Sequence, residues 1–580
     1  MQRSDPPKAT QVEQHGVEPI PDGERTARPF DLFRLSFGGA NTIATVVLGS
    51  FPIVFGMSFL QGALATVLGL LAGALVLAPM SLFGPRNGTS NAVSSSAHLG
   101  VEGRVVGSFL SLLTAFAFFA ISVWSSGDVL VGGLHRAVGL PQSDVSLAVA
   151  YALVALLVLA VCIYGFRFML LVNKIAVVAA TLLFLLGVVA FAGAFDPGYA
   201  GTIHPGDPDF WPAFVSSALI VMSNPVSFGA FLGDWARYIP RSTPAHRVLG
   251  ATFLAQLATL IPFGFGLVTT TIIAAEQPGL FADGSYAAGL LAISPAWYFL
   301  PVCLIAIIGG LSTGTTALYG TGLDFSSVFP RFSRVRSTVL IGTAAIAVIF
   351  VGRFVFDVVA TITTFATLIV TCTAPWMVVM MLGWVVRRGW YDSDSLQVFN
   401  RRQRGGRYWF SGGWNWRGLA AWLVAAALGI AATNLQGQFV GPLAHLAPVD
   451  ISIPLVLGAA AVLYLVLLFA FPEPRDAFGP LGPRLVPAGA RAHPDHLDRA
   501  RRIRTDGALI RGTGTSRLRP RRWTAAWPPP ADRGFPHPEH DNGGDRVVLA
   551  DQHRAAPVST IPVRIRAEPK LVVDRRLSLG

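Results

Sequence analysis

"FGGANT", Phe37 to Thr42, interrupts the first long apolar run of the chain, and "MSNPVSFG", Met222 to Gly229, interrupts the sixth. Paired glycines and an internal proline release backbone N–H and C=O groups from the helical ladder. Hydrocarbon cannot satisfy such groups, so a break of this kind persists in a membrane only where it is buried in protein or lines a cavity. Interrupted segments at corresponding places in two halves point to a transporter's binding site. The plainer alternative for each is a proline kink or a glycine packing face, of which "GLLAG" at Gly69 to Gly73 is another instance.

The rest of the chain supplies the halves. Its 580 residues are 52% hydrophobic and 13% charged, with a mean hydropathy of +0.55, beyond what an ordinary soluble domain carries. A transmembrane helix takes roughly 20 mostly apolar residues. That window predicts twelve spans, at 33–57, 59–84, 107–134, 146–165, 169–194, 211–232, 248–275, 293–325, 335–356, 358–387, 417–436 and 451–471. Lys and Arg collect in cytoplasmic loops. With the N-terminus inside, the inside loops hold seventeen of them and the outside loops two, Arg136 and Arg353. Dropping one span would invert every later loop, so the asymmetry supports twelve spans with both termini cytoplasmic. Because five is odd, laying spans one to five (about 33–194) on spans six to ten (about 211–387) inverts the second set in the membrane. The expected fold class is an all-α integral membrane protein with a five-plus-five inverted-repeat transporter fold, its body over 31–472 and two extra C-terminal helices over 417–471.

The flanks read differently. Residues 1–30 are polar and of mixed charge, a disordered cytoplasmic tail without the apolar core of a cleavable signal peptide. Residues 473–580 hold 20 Lys and Arg against 12 Asp and Glu, eight of the chain's twelve net positive charges. Without aromatic interleaving or a recognition motif, this Arg/Pro-rich stretch reads as a solvated, disordered cytoplasmic tail rather than a nucleic-acid surface. Arg outnumbers Lys 41 to 3, which leaves open that the part after about 485 is a reading-frame artefact.

Polar residues inside the spans carry the functional signal. Asp128, in "ISVWSSGDVLVGG" (Ile121 to Gly133) about the middle of span three, would cost at least ~2.5 kcal/mol facing lipid. It must face protein or water. Four residues before it, Trp124 shares its helix face, so an aromatic plane and a hydrogen-bonding group address one volume. That suits a flat heterocycle: stacking on a ring contributes ~1–3 kcal/mol per base, and a polar partner discriminates its edge. The alternative is an acid paired to a neighbouring helix. Asn41 and Asn224 stand at the breaks, where they bond either freed backbone or a ligand. In "GGLSTGTTALYGTG" (Gly309 to Gly322), Ser312 and Thr313 offer hydroxyl oxygens to a cation beside unwound carbonyls, or bond their own helix. Asp234 and Arg237 of "GDWARYIP" form a gate pair, or an interfacial ion pair, at the cytoplasmic end of span six.

Absences narrow the class. No histidine falls in a span interior, against haem or a metal active site. None of the three lysines follows a GxxxxG run, so there is no Walker A loop and no ATP-driven pumping. A membrane enzyme, the rival class, usually needs acidic or His-rich clusters at helix ends, and these are missing.

Four stretches, in order, resemble the nucleobase:cation symporter family one, the purine/cytosine permeases with hydantoin and allantoin transporters among their relatives. They are "FGGANTIATVVLG", "SLFGPRNGTSNAVSSSAHLGVEGR", "VWSSGDVLVGG" and "SFGAFLGDWARYIP". The resemblance covers about 30–471. It implies a secondary active transporter importing a nucleobase such as cytosine or a purine across the bacterial cytoplasmic membrane by alternating access, with no cofactor and with sodium or a proton as coupling ion. It also implies roles: Trp124 stacks on the substrate, Asp128 takes the amide position that bonds its edge, Phe228 covers the opposite ring face, and Ser227 and Asn41 lie beside it. Ser312 and Thr313 match the hydroxyl pair of a sodium site, completed by span-one backbone from Gly38 to Asn41. Two departures matter. Span eight reads Ser-Thr-Gly where many purine/cytosine members have Asn-Asn-x-Pro, and an acid replaces an amide at 128. An ionised carboxylate accepts but cannot donate. Proton coupling through Asp128 thus competes with sodium coupling, and allantoin, hydantoin, uracil, thiamine and pyridoxine stay open as substrates.

Overall fold

The computed structural model describes residues 16–329, 331–355, 359–435 and 439–490. Its regular structure is helical apart from a short hairpin, Asn434–Leu435 with Phe439–Val440. Helices α1 (Pro29–Ala40) and α2 (Ile43–Val54) form one span bent by 61°. Next come α3 (Phe59–Leu77), α4 (Val105–Val138), α5 (Asp144–Tyr164) and α6 (Phe166–Phe191). Beyond a loop, α7 (Phe210–Ser227) and the short α8 (Leu232–Ala236) flank the second break, and α9 (Ala245–Ala258) runs on into α10 (Leu260–Glu276). The remainder are α11 (Phe299–Val328), α12 (Arg334–Phe354), α13 (Val359–Val386), α14 (Trp416–Ala432) and α15 (Ser452–Ala470).

Among the described residues, nine helices are long and apolar enough to cross a bilayer, ten with the bent pair. The expected count of twelve is not reached. Helix α7 stops at its break after 18 residues that include Ser216, Ser217, Ser223 and Asn224. Helix α14 has 17 residues, short of the ~20 that a bilayer asks for. The other ten lie where the apolar windows place them. Their outer faces are apolar, with Leu153, Leu156 and Leu157 of α5 and Val188 and Val189 of α6 exposed, as lipid-facing helices require.

The interior is built from three tight helix pairs. Helix α4 has its largest interface with α11, α3 with α7, and α2 with α10. When spans one to five are laid on six to ten, the last two pairs exchange and the first maps onto itself. Small residues set the distances: a Cβ at Gly69 would lie 2.2 Å from the Ala218 carbonyl oxygen, and one at Gly73 would lie 2.9 Å from that of Met222. Backbones therefore touch.

Both tails need correction. Residues 1–15 and 491–580 lie outside the described residues, but 16–28 are not a free tail. Ile20 and Ala27 are buried, Ile20 N donates to Gly88 O at 3.0 Å and Ala27 N to Tyr238 O at 3.0 Å. At the other end Glu473 is fully buried. Its Oε2 accepts from Arg387 Nη2 at 2.5 Å and its Oε1 from Asn415 Nδ2 at 2.6 Å. His98, between α3 and α4, completes this knot: Arg387 Nη1 approaches its Nδ1 at 3.2 Å and Tyr391 OH its Nε2 at 3.0 Å. A guanidinium only donates, so Nδ1 accepts and Nε2 carries the proton. Burial, with Arg387 beside it, holds the imidazole well below its ordinary range. Averaged composition hid both straps because a few apolar or paired residues anchor each.

Glu473→Ala should lower the midpoint of thermal unfolding in detergent markedly, since stripping one partner from a buried ion pair costs about 3–5 kcal/mol. Asp394→Ala, which removes the partner of exposed Arg401, should leave the midpoint unchanged.

Candidate functional site

A cavity of about 1640 Å³ runs into the bundle between α2, α4, α7 and α12. Its mouth is lined by His135, Arg136, Thr202, Ser285 and Asp450, at the arginine-poor ends of the helices, and its inner part by Gly39, Thr45, Trp124, Asp128, Asn224 and Thr313. The opposite, arginine-rich end is closed. There Phe166 and Tyr238 stack at 3.9 Å, Tyr238 OH lies 3.3 Å from Tyr319 OH, and Arg237 donates to Tyr319 OH at 3.1 Å and to Gly16 O at 2.6 Å.

Trp124 and Asp128 address this cavity together, as their spacing predicts. Asp128 does not stand at mid-helix: α4 ends ten residues later at Val138, so the acid lies in the part nearer the mouth. Tyr151 OH of α5 donates to its Oδ1 at 2.5 Å. Arg353, in the last turn of α12, lines the same cavity and acts on the charge of both. Asp128 itself lines the cavity. Below it, buried capacity goes unused: Trp124 Nε1, Asn224 Oδ1 and Asn41 Oδ1 have no hydrogen-bond partner among the described residues. Unpaired buried polar atoms are rare and call for an explanation, and of these three residues Trp124 and Asn224 line the cavity.

At the first break, Asn41 and Thr42 leave helical geometry, and side chains of α11 bond the carbonyls before it. Ser312 Oγ donates to Gly38 O at 2.8 Å and Thr313 Oγ1 to Gly39 O at 2.8 Å. Asn173 Oδ1 of α6 lies 2.6 Å from Ser312 Oγ. These oxygens converge because Gly38 has no side chain; a Cβ there would lie 2.5 Å from Asn173 Oδ1. An oxygen-only set of carbonyls and hydroxyls suits a hard cation.

Other candidates lie elsewhere. Phe228 is buried behind Phe118, ring centroids 6.4 Å apart, and it is Phe118 that lines the cavity. Ser227 bonds its own helix at Asn224 O, 2.6 Å away. Asn41 bonds Thr181 Oγ1 at 3.2 Å through Nδ2 and is not a cavity wall. Asp234 and Arg237 form no hydrogen-bonded pair, although Arg237 acts on the charge of Asp234: both Asp234 oxygens are buried without a hydrogen-bond partner among the described residues, and Arg237 turns to Gly16 and the tyrosines while Asp234 turns to α11.

Residues 19–449 match the family model described as permease for cytosine/purines, uracil, thiamine, allantoin. The chain belongs to that family. It is similar to YxlA of Bacillus subtilis (strain 168), named as a candidate purine-cytosine permease, with 24% identity over 470 residues, 79% of this chain and 96% of that one. It is also similar to the vitamin B6 transporter TPN1 of Saccharomyces cerevisiae, 23% identical over 340 residues, 55% of this chain and 56% of the relative. Among solved structures, it shares the fold of Mhp1, a nucleobase-cation-symport-1 family transporter seen in a closed conformation with bromovinylhydantoin bound. The TM-score is 0.60 at 18% identity, over 77% of this chain and 93% of Mhp1. This permease is thus a multi-pass membrane transporter and not an enzyme.

Sequence reading missed Tyr151, Arg353, Asn173 and Phe118. Tyr151 and Phe118 look like any aromatic in an apolar run, and Arg353 reads as a loop residue because the run ends beside it. Asn173 carried a signal, a lone amide in α6, that the Lys174 next to it masked. Tyr151→Phe in this permease should lower thermal stability by about 1–3 kcal/mol, the cost of leaving a buried acceptor short of a donor. Adding Asp128→Asn should cost less than the sum of the two single changes, since the pair is in contact.

Proposed function

We propose that this permease is a cation-coupled symporter that takes up a planar N-heterocycle, a nucleobase such as cytosine or a purine, by alternating access. What carries the reading is Trp124 and Asp128 on one cavity wall, above the oxygen cluster at the first break. A ring stacked on Trp124 presents its N–H edge to Asp128 and to Asn224 Oδ1. Sodium fits the cluster of Gly38 O, Gly39 O, the Ser312 and Thr313 hydroxyls and Asn173 Oδ1. There the hydroxyls turn their protons away and present lone pairs. Binding at the break fixes α1 to α11 and favours the conformer with the cavity open, so ion and substrate raise each other's affinity by the same factor.

The arginine-poor mouth would face outside by the positive-inside rule. This orientation goes with twelve spans that count α7 with α8 and α14, an inverted repeat of spans one to five, cytoplasmic termini and a bacterial inner membrane. The exchange of helix pairs between the two halves supports the repeat. A second reading is pyridoxine, favoured by the likeness to the vitamin B6 transporter; allantoin, uracil and thiamine follow from the family's description.

Uptake of labelled cytosine, adenine, uracil and pyridoxine into proteoliposomes, under an imposed sodium or proton gradient, tests this. Sodium-driven nucleobase uptake is expected, reduced ~10–100-fold in kcat/KM by Trp124→Ala, the worth of one stacked base. Ser312→Ala with Thr313→Val should abolish the response to sodium. Normal transport by the Trp124→Ala, Phe228→Ala double variant would show the site to be misplaced, and proton-driven uptake lost in Asp128→Asn would move coupling to the acid.

A further inference from the structure

Two carboxylates that substrate and cation binding leave unused lie near each other at the arginine-rich end of the bundle. Asp234 of α8 and Asp324 of α11 are each 1% exposed. They approach because α11 has no side chain at Gly320: a Cβ there would lie 3.1 Å from Asp234 Oδ2, and Asp324 follows one turn along the same face. The charge of Asp234 acts on Asp324. Both oxygens of Asp234 and Oδ2 of Asp324 have no hydrogen-bond partner among the described residues. The Ser111 hydroxyl of α4, fully buried and turned toward Asp324, lacks a bond of normal geometry as well.

Among the described residues, the charged groups facing the pair are few. Arg237 follows Asp234 and bonds Gly16, Tyr238 and Tyr319. Arg104, at the foot of α4, faces Asp324 with Glu102 beside it; it also bonds Asn400 Oδ1 at 2.6 Å and lies over the Phe399 ring. On the remaining elements packed against α8, Arg34 pairs with Asp31 and Arg86 faces Arg241 and Tyr391. Two ionised carboxylates held this way repel each other, and one proton both removes the repulsion and supplies the donor that their oxygens lack.

We propose that Asp234 and Asp324 form a proton-binding site that latches the arginine-rich end shut, holding one shared proton while α8 lies against α11 and releasing it when they part. The proposal rests on the alternating-access reading but on neither the substrate nor the coupling ion. A proton bound more tightly in the latched conformer stabilises that conformer by the same factor. Acid on this face then keeps it closed, and alkali favours opening by at most about tenfold per pH unit for one proton.

The test is hydrogen–deuterium exchange of residues 229–239 in the reconstituted full chain, corrected for the intrinsic pH dependence of exchange, between about pH 6 and about pH 8.5. Exchange of the wild type should rise with pH. Asp324→Asn, whose amide donates to Asp234 at every pH, should stay at the wild type's low-pH level, and Asp234→Asn should behave likewise. A flat wild-type profile overturns the proposal without any variant, and so does an Asp324→Asn protein that keeps the wild-type slope. Failed nucleobase uptake with a pH-dependent latch would sink the substrate reading alone; intact uptake with a flat profile would sink the latch alone.

Discussion

A peptide carbonyl without a donor inside hydrocarbon costs several kcal/mol, and the first break leaves that of Gly39 without a backbone donor among the described residues and that of Gly38 with only a long bond from Asn41 N at 3.4 Å. Ser312 and Thr313 supply the donors. Those two bonds join α1 to α11, and the 61° bend they permit swings α2 aside to form a cavity wall. At the second break the donor is of another kind: Asn91 Nδ2, from a short helix between α3 and α4, reaches Gly229 O at 3.0 Å. The first break is held by hydroxyls, which can donate a proton or present a lone pair, and the second by the NH2 of an amide, which donates.

The same accounting explains a carboxylate in a membrane helix. Asp128 meets a phenol from α5 and an arginine from α12, and its remaining oxygen faces a cavity rather than lipid. Arg353 reaches inward from the last turn of its helix, so the two charges least suited to hydrocarbon answer each other. Polar groups are in this way kept on a cavity wall without exposing them to lipid.

Much of this was legible in the sequence, for reasons that separate local from tertiary information. A span is a sum over some twenty residues and survives individual exceptions, so ten of the twelve windows correspond to helices of full length. The two that do not are those where polar residues or a short run weaken the sum. Trp124 and Asp128 share a face by helix geometry alone, and the glycines and proline of the breaks announce released backbone. Nothing local says that Tyr151 meets Asp128, that Phe118 screens Phe228, or that Glu473 closes a knot with Arg387 and His98. Each depends on which helices touch. Asp324 went unread for a related reason: its meaning comes from Gly320, one turn away, whose missing side chain lets another helix's acid approach.

Helix α11 links these features. Ser312 and Gly320 are eight residues apart on it, about 12 Å along a straight helix. The first bonds α1 at the break and the second receives Asp234 of α8. A rigid helix cannot change its relation to α1 while leaving its relation to α8 untouched, unless those two elements move together. The straps at the arginine-rich end bear on the same choice, because residues 16–28 bond both the segment after α3 and Tyr238 beyond α8. Opening that end must separate the Phe166–Tyr238 stack, the Arg237 bonds and the approach of Asp234 to Gly320 as a set. Groups that break as a set give two states rather than a continuum, and α11 is the element that joins the first break to that choice.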